Sequence, residues 1–166
     1  MNIVVDGVNI FVATGGCAFD PKKPTVVFVH GSGLDHRSWA LQARWFAFHG
    51  FSVLAPDLPG HSLSEGEPLK SIESMGKWLV KAIKHSGAEN VHLVGHSQGF
   101  LVALEAAILL EDKLKSLTAV ASASAIPVNE SLVDTAQKNT KEAADMLLRW
   151  GFGSRSHSGS SAVPGM

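Results

Sequence analysis

Val91 to Leu110 reads VHLVGHSQGFLVALEAAILL, a short apolar run that meets Gly95-His96-Ser97-Gln98-Gly99 and then passes into an alanine-rich apolar segment. The pattern predicts strand, sharp turn and helix. Val91, Leu93 and Val94 are residues that fill a strand buried on both faces, and a run this short suits a strand better than a helix. From Gln98 to Leu110 there is no proline and no glycine after Gly99. Leu101, Leu104 and Ile108 fall at helical spacing, with Ala103, Ala106 and Ala107 filling the rest. A helix apolar nearly all round is expected to lie centrally.

The turn between them is where chemistry is expected. In G-x-S-x-G the chain reverses with a strained backbone at the serine, while Gly95 and Gly99 let strand and helix approach closely. Ser97 Oγ would then stand above the carboxyl end of the strand. The N–H of Gln98 opens the helix, so an anion forming beside Ser97 would meet a free donor and the positive end of the helix dipole. Ser97 is the candidate nucleophile.

Composition narrows the partner. The chain has 166 residues, 45% hydrophobic and 17% charged, a formal net charge of -1 and a mean hydropathy of +0.14. These values fit one compact domain with a single core. With a pI near 6.7 there is no basic footprint for nucleic acid and no polybasic segment for an anionic membrane, which leaves a small molecule as the expected partner. Cys17 is the only cysteine, so an internal disulfide framework is excluded and a reducing compartment is expected. MNIVVDGVNI has no basic n-region and meets Asp6 early, unlike a signal peptide. The longest apolar segment, Phe100 to Leu110, is too short to span a bilayer. A cytoplasmic location is the expectation; the oligomeric state is left open.

Taken in order, Ile3 to Val5 and Val8 to Val12 flank Asp6-Gly7, a hairpin signal. Thr25 to Val29 is a continuous apolar strand ending in His30-Gly31-Ser32-Gly33. Trp39 to His49 carries Leu41, Trp45 and Phe48 at helical spacing, with Ser38 as N-cap and Gly50 as stop. Phe51 to Ala55 is the next strand, followed by the loop Pro56-Asp57-Leu58-Pro59-Gly60-His61. Ile72 to His85 is a helix with Ile72, Met75, Leu79 and Ile83 on one face, Ser71 as its cap and Gly87 past its end. Leu117 to Ala121 is a further strand. The alternation from Thr25 to Ala121 means βαβ units and a parallel sheet. Val128 to Trp150 reads as one or two helices, Thr140 to Trp150 the clearer, with Ala143, Met146, Leu147 and Trp150 on one side. The end is low complexity, with five serines between Ser154 and Ser161.

Strand then HGSG, strand then PDLPGH, strand then GHSQG then buried helix resembles, over roughly residues 1 to 125, the N-terminal part of the α/β-hydrolase fold. The resemblance implies an α/β architecture with a mostly parallel sheet and helices on both faces. Residues 1–127 would form the front of the core, cut off after about six strands. Residues 128–166 would form the start of a cap-like segment with a Ser/Gly-rich end. It also implies roles: Ser97 as nucleophile, and an oxyanion hole from the backbone N–H groups of Ser32 and Gln98. His30, Gly31, Gly95 and Gly99 would support these. Where many members have glycine after PDxxGH, this chain has Ser62. In the family an acid and then a histidine follow the nucleophile along the chain. After Ser97 come Glu105, Glu111, Asp112, Glu130, Asp134, Glu142 and Asp145, none at a convincing strand end, and one histidine, His157, in the polar tail. His157 reads as a tail residue rather than a base.

The remaining candidates carry plainer readings. His96 is expected to pack at the elbow with its side chain turned from Ser97. His30 should steady the oxyanion loop by a hydrogen bond. Asp57, in one loop with His61, should satisfy nearby backbone N–H groups. His36, His49, His85 and His92 are scattered without metal-ligand spacing, so no metal and no cofactor is expected. Trp39, Trp45, Trp78 and Trp150 should be core or groove residues. Two functions follow. One is a serine hydrolase acting through an acyl-enzyme on a small carboxylic ester, lactone or thioester. The other is a catalytically incomplete binding protein on the same scaffold. An aspartate at the elbow would mark the dehalogenases and epoxide hydrolases of the family, and Ser97 stands there instead.

Overall fold

A computed structural model describes residues 1–151, which divide into two compact units, Met1–Ala125 and the segment from Ile126 onward. The first is built on a six-stranded sheet in the order β1-β2-β4-β3-β5-β6. β1 (Asn2–Val5) and β2 (Val8–Ala13) form the antiparallel hairpin expected of Asp6-Gly7. Both turn residues take positive φ, 52° and 80°, as a two-residue turn matched to strand twist requires. β2 pairs antiparallel with β4 (Ser52–Pro56). From there β4, β3 (Thr25–Val29), β5 (Val91–His96) and β6 (Leu114–Val120) are mutually parallel. The expected mostly parallel sheet is present.

Alternation along the strands sorts the core into two layers. Val27, Val29, Leu54 and Leu93 face a large cluster with α2 (Ile72–Ser86) and α3 (Gln98–Leu110). Val26, Phe28, Val53 and Ala55 face a smaller cluster that includes Trp39, Ala43 and Ala47. Ser71 caps α2 in a capping box with Ser74, and Gly87 closes it in the left-handed conformation at φ 79°. α2 and α3 lie close because residue 76 is glycine, where an added Cβ would come within 2.5 Å of Glu105 Cβ.

Four expectations need correction. The helix expected from Trp39 begins instead as a 3-10 turn, His36–Trp39, capped by Asp35 rather than Ser38, before α1 (Ala40–Phe48). Its apolar triplet faces outward: Leu41, Trp45 and Phe48 are 54%, 53% and 59% exposed, while Ala43 and Ala47 are buried. The cause is the β2–β3 loop, which passes so near that a Cβ on Gly15 would lie 2.2 Å from the Ala43 carbonyl oxygen. Only small side chains fit beneath that crossing. α3 likewise buries Gly99, Val102, Ala103, Ala106 and Leu110, and leaves Ile108 exposed. β6 starts three residues before the expected Leu117, because the short turn Glu111–Lys113 delivers the chain straight into the sheet; Ala121, at φ 46°, lies past its end.

The second unit contains α4 (Glu130–Lys138), capped by Asn129, and α5 (Thr140–Gly151), so the segment expected to hold one or two helices holds two. The two helices pack on each other, and Ala143 of α5 is buried. Trp39 and Trp78 are buried as expected, whereas Trp45 and Trp150 are more than half exposed. No helix among the described residues is long and apolar enough to cross a membrane. His157 and the serine-rich end lie outside the described residues.

Candidate active site

Ser97 sits between β5 and α3 at φ 51° and ψ −123°, a region that L-residues rarely occupy. Three hydrogen bonds hold it there. Its N–H donates to the Val120 carbonyl at 3.1 Å, and its own carbonyl accepts from Phe100 N–H at 3.0 Å and from Ser122 Oγ at 2.9 Å. The flanking glycines are sterically required. A Cβ at Gly95 would lie 2.3 Å from Phe100 Cα, and one at Gly99 would lie 2.3 Å from the Val29 oxygen and 2.4 Å from the His30 oxygen. Strand β3 therefore runs directly against the start of α3, which brings its carboxyl end beside the serine.

That end is His30-Gly31-Ser32. A Cβ at Gly31 would stand 3.3 Å from Ser97 Cβ, so the glycine leaves the side of Ser97 open. Ser32 Oγ donates to Gln98 Oε1 at 3.0 Å, which ties the β3 loop to the first residue of α3. Helix geometry leaves the Gln98 N–H without an intrahelical acceptor. Among the described residues neither it nor the Ser32 N–H has a partner. Two free amides, one at the positive end of a helix, thus belong to residues clasped together beside Ser97.

His30 is fully buried and bridges two loops. Leu58 N–H donates to its Nε2 at 3.2 Å, which requires the proton on Nδ1, and Nδ1–H then donates to the Gly31 carbonyl at 3.0 Å. Burial is the largest influence on this ring and holds its pKa below the ordinary histidine value. It is a neutral strut between the ends of β3 and β4. His96 is half-buried with its ring edge-on to Trp39, and burial lowers its pKa as well. The indole N–H of Trp39, buried in the α1 layer, has no acceptor among the described residues. His61 turns its Nδ1 to the Pro59 carbonyl.

Asp57 does what its loop position suggested, accepting from the backbone N–H groups of His36 at 2.8 Å and Leu63 at 3.2 Å. It also binds the ring of His36, whose Nδ1 lies 2.9 Å from Oδ1. This carboxylate–imidazole pair escaped sequence reading because its partners are 21 residues apart; the only signal was an aspartate at the end of a mostly apolar strand, a position that demands donors. The pair stands over β4, two strands from β5, about 10 Å across the sheet. It is not placed to serve Ser97. Asp35, His36 and Asp57 could offer ligand atoms within 4.8 Å of one another. Asp35, however, is bound by the Arg37 guanidinium, which holds its carboxyl below the usual range.

The arrangement has known counterparts. A sequence profile described as alpha/beta hydrolase fold matches residues 24–150. An epoxide hydrolase A of Mycobacterium tuberculosis is 32% identical over 125 residues, 74% of this chain and 38% of that protein. A pimeloyl-[acyl-carrier protein] methyl ester esterase of Methylococcus capsulatus is 33% identical over 110 residues, 66% of this chain and 39% of that protein. Among solved structures, Est816, described as an N-acyl homoserine lactone degrading enzyme, superposes with a TM-score of 0.76 at 20% identity, covering 94% of this chain and 59% of that one. The chain spans well under half the length of these two sequence relatives. With the profile matched over most of its length and the elbow, glycine contacts and sheet order all in place, the chain belongs to the α/β-hydrolase fold family.

Proposed function

We propose that this chain carries the nucleophile and oxyanion hole of a serine hydrolase acting on a small ester-type substrate: a carboxylic ester, lactone or thioester. The observation that carries the reading is the backbone of Ser97, held at φ 51° beside two amides without a partner among the described residues. A strained residue locked by its surroundings is characteristic of a functional position. Ser97 Oγ would attack the carbonyl carbon while a base takes its proton. The Ser32 and Gln98 amides would hold the oxyanion, the leaving group would depart protonated, and water would then release the acyl group. The reaction needs neither metal nor cofactor. A serine at the elbow favours ester chemistry over the epoxide opening named for one relative. The lone cysteine favours a cytoplasmic setting, and the α4–α5 unit is read as the start of a cap.

Two histidines near the strand ends are engaged elsewhere, since His30 bridges two loops and His36 holds Asp57. That observation favours the second reading, a binding protein on the hydrolase scaffold. Hydrolysis of short-chain aryl esters separates the two. Sequence that adds a base and an acid to this chain should give turnover that Ser97→Ala reduces on the order of a million-fold. Undiminished hydrolysis by Ser97→Ala would overturn the assignment of the nucleophile, and no hydrolysis at all would favour the binding protein.

A further inference from the structure

The elbow is gripped from the end of β6. The Val120 carbonyl accepts the Ser97 N–H at 3.1 Å, and two residues further on Ser122 Oγ lies 2.9 Å from the Ser97 carbonyl oxygen. Between these two bonds the chain turns at Ala121, whose φ of 46° is a left-handed conformation that residues with a Cβ seldom adopt. Ser97 and Ala121 are thus two strained residues joined across one pair of hydrogen bonds, and strain of this kind persists only where the surrounding structure fixes it. The Ser122 hydroxyl has one proton to give. Its other contact, with the Ala123 carbonyl, is longer at 3.4 Å, so the proton goes to the Ser97 carbonyl.

That carbonyl belongs to the same peptide unit as the Gln98 N–H. A trans peptide is planar, with its C=O and N–H pointing in opposite directions, so holding one end aims the other. Phe100 N–H, at 3.0 Å, and Ser122 Oγ together occupy both lone pairs of the Ser97 oxygen. Each bond draws electron density toward that oxygen, which makes the N–H of the same peptide a stronger donor. We infer that Ser122 is a positioning residue of the oxyanion hole: through the Ser97–Gln98 peptide it aims and polarises the Gln98 amide toward an oxyanion formed beside Ser97. The inference rests on the serine-hydrolase reading above. The Phe100 bond comes with the first turn of α3, whereas Ser122 reaches the same oxygen from 25 residues along the chain. Its proton stays on Oγ throughout. Its effect therefore falls on steps in which negative charge builds on the substrate oxygen, and little on binding of the neutral ester.

Two readouts on the whole chain test this. Acylation by an activated aryl acetate, followed as phenolate release and as acetyl-Ser97 by mass spectrometry, reads the reaction, and the Gln98 amide resonance in the NMR spectrum reads the peptide without substrate. Ser122→Ala should slow acylation about tenfold at saturating ester and leave the half-saturating concentration unchanged. Its Gln98 amide nitrogen should move upfield as the polarisation is lost. Because the Ser97 carbonyl keeps the Phe100 N–H, the variant leaves no unpaired group and should melt with wild type. Ser122→Thr retains the hydroxyl and should restore both readouts, while Ser124→Ala, at an exposed serine nearby, should alter neither. Equal acylation rates in wild type and Ser122→Ala would overturn the inference, as would a rate loss that Ser122→Thr does not recover or a Gln98 resonance that stays in place in Ser122→Ala. A wild type that takes no acetyl group on Ser97 would instead overturn the serine-hydrolase reading, and the role of Ser122 with it.

Discussion

Replacing Ser97 by glycine should stabilise the protein relative to replacing it by alanine. At φ 51° and ψ −123° any residue with a Cβ is strained, by about 1–3 kcal/mol for such sparsely populated conformations. Alanine retains the Cβ and therefore the strain. Glycine occupies the mirror half of the map freely, but its unfolded chain gains freedom worth roughly 0.5–1 kcal/mol. Neither variant keeps the hydroxyl, and the bonds that pin the residue run through its backbone N–H and carbonyl, so both keep them. The difference works out at about 0.5–2 kcal/mol in favour of Ser97→Gly. Urea unfolding of the two variants, with m compared to confirm an unchanged transition, measures it directly. If Ser97→Gly is the less stable of the pair, the elbow stores no strain and the chief structural argument for Ser97 is lost.

Gly99→Ala should cost about 3 kcal/mol or more, above the usual penalty for overpacking, because the added methyl meets two backbone oxygens that cannot rotate away; a thermal melt within a degree of wild type would contradict the close approach of β3 and α3. Asp57→Ala should destabilise by roughly 2–4 kcal/mol, since it strips acceptors from two backbone N–H groups and from His36, as denaturant midpoints would show. Stability should also depend on pH through His30. Its folded pKa is depressed, so on acidification the unfolded chain takes up the proton first. The stability is fully present above the ordinary value of about 6.5 and is lost below it, down to the folded pKa. His30→Gln should flatten that slope, and an unchanged slope would show that the ring does not stay neutral. Finally, β6 pairs only with β5 among the described residues, and an open edge strand invites pairing with another chain. Size-exclusion chromatography should show concentration-dependent association that Val120→Lys reduces; a monodisperse wild type at all concentrations would contradict it.

What could be read from the sequence was what short-range chemistry decides. Asp6-Gly7 fixes a hairpin through two positive φ angles, Ser71 and Gly87 bound α2, and Gly95 and Gly99 around Ser97 define the elbow, all within a few residues. The misreadings involve contacts between distant segments. Nothing in ALQARWFAF tells that Gly15, 28 residues before Ala43, will press on the alanines and turn the aromatic residues to water. The partner of Asp57 was hidden for the same reason, and the inner face of α3 followed the approach of α2 at Gly76 rather than the positions of its largest side chains. Within the site, the elbow and the HGSG loop could be named from the motif alone. The Ser32–Gln98 clasp and the Nδ1–H form of His30 depend on loops 66 and 28 residues apart.

The central claim is that Ser97 is the nucleophile, and covalent capture tests it most directly. Incubating the chain with an activated aryl acetate and mapping the modified peptide by mass spectrometry should place the acetyl group on Ser97, held as an acyl-enzyme. Ser97→Ala should remain unlabelled under the same conditions. Acetylation spread over surface lysines such as Lys22 and Lys23, with Ser97 untouched, would contradict the account.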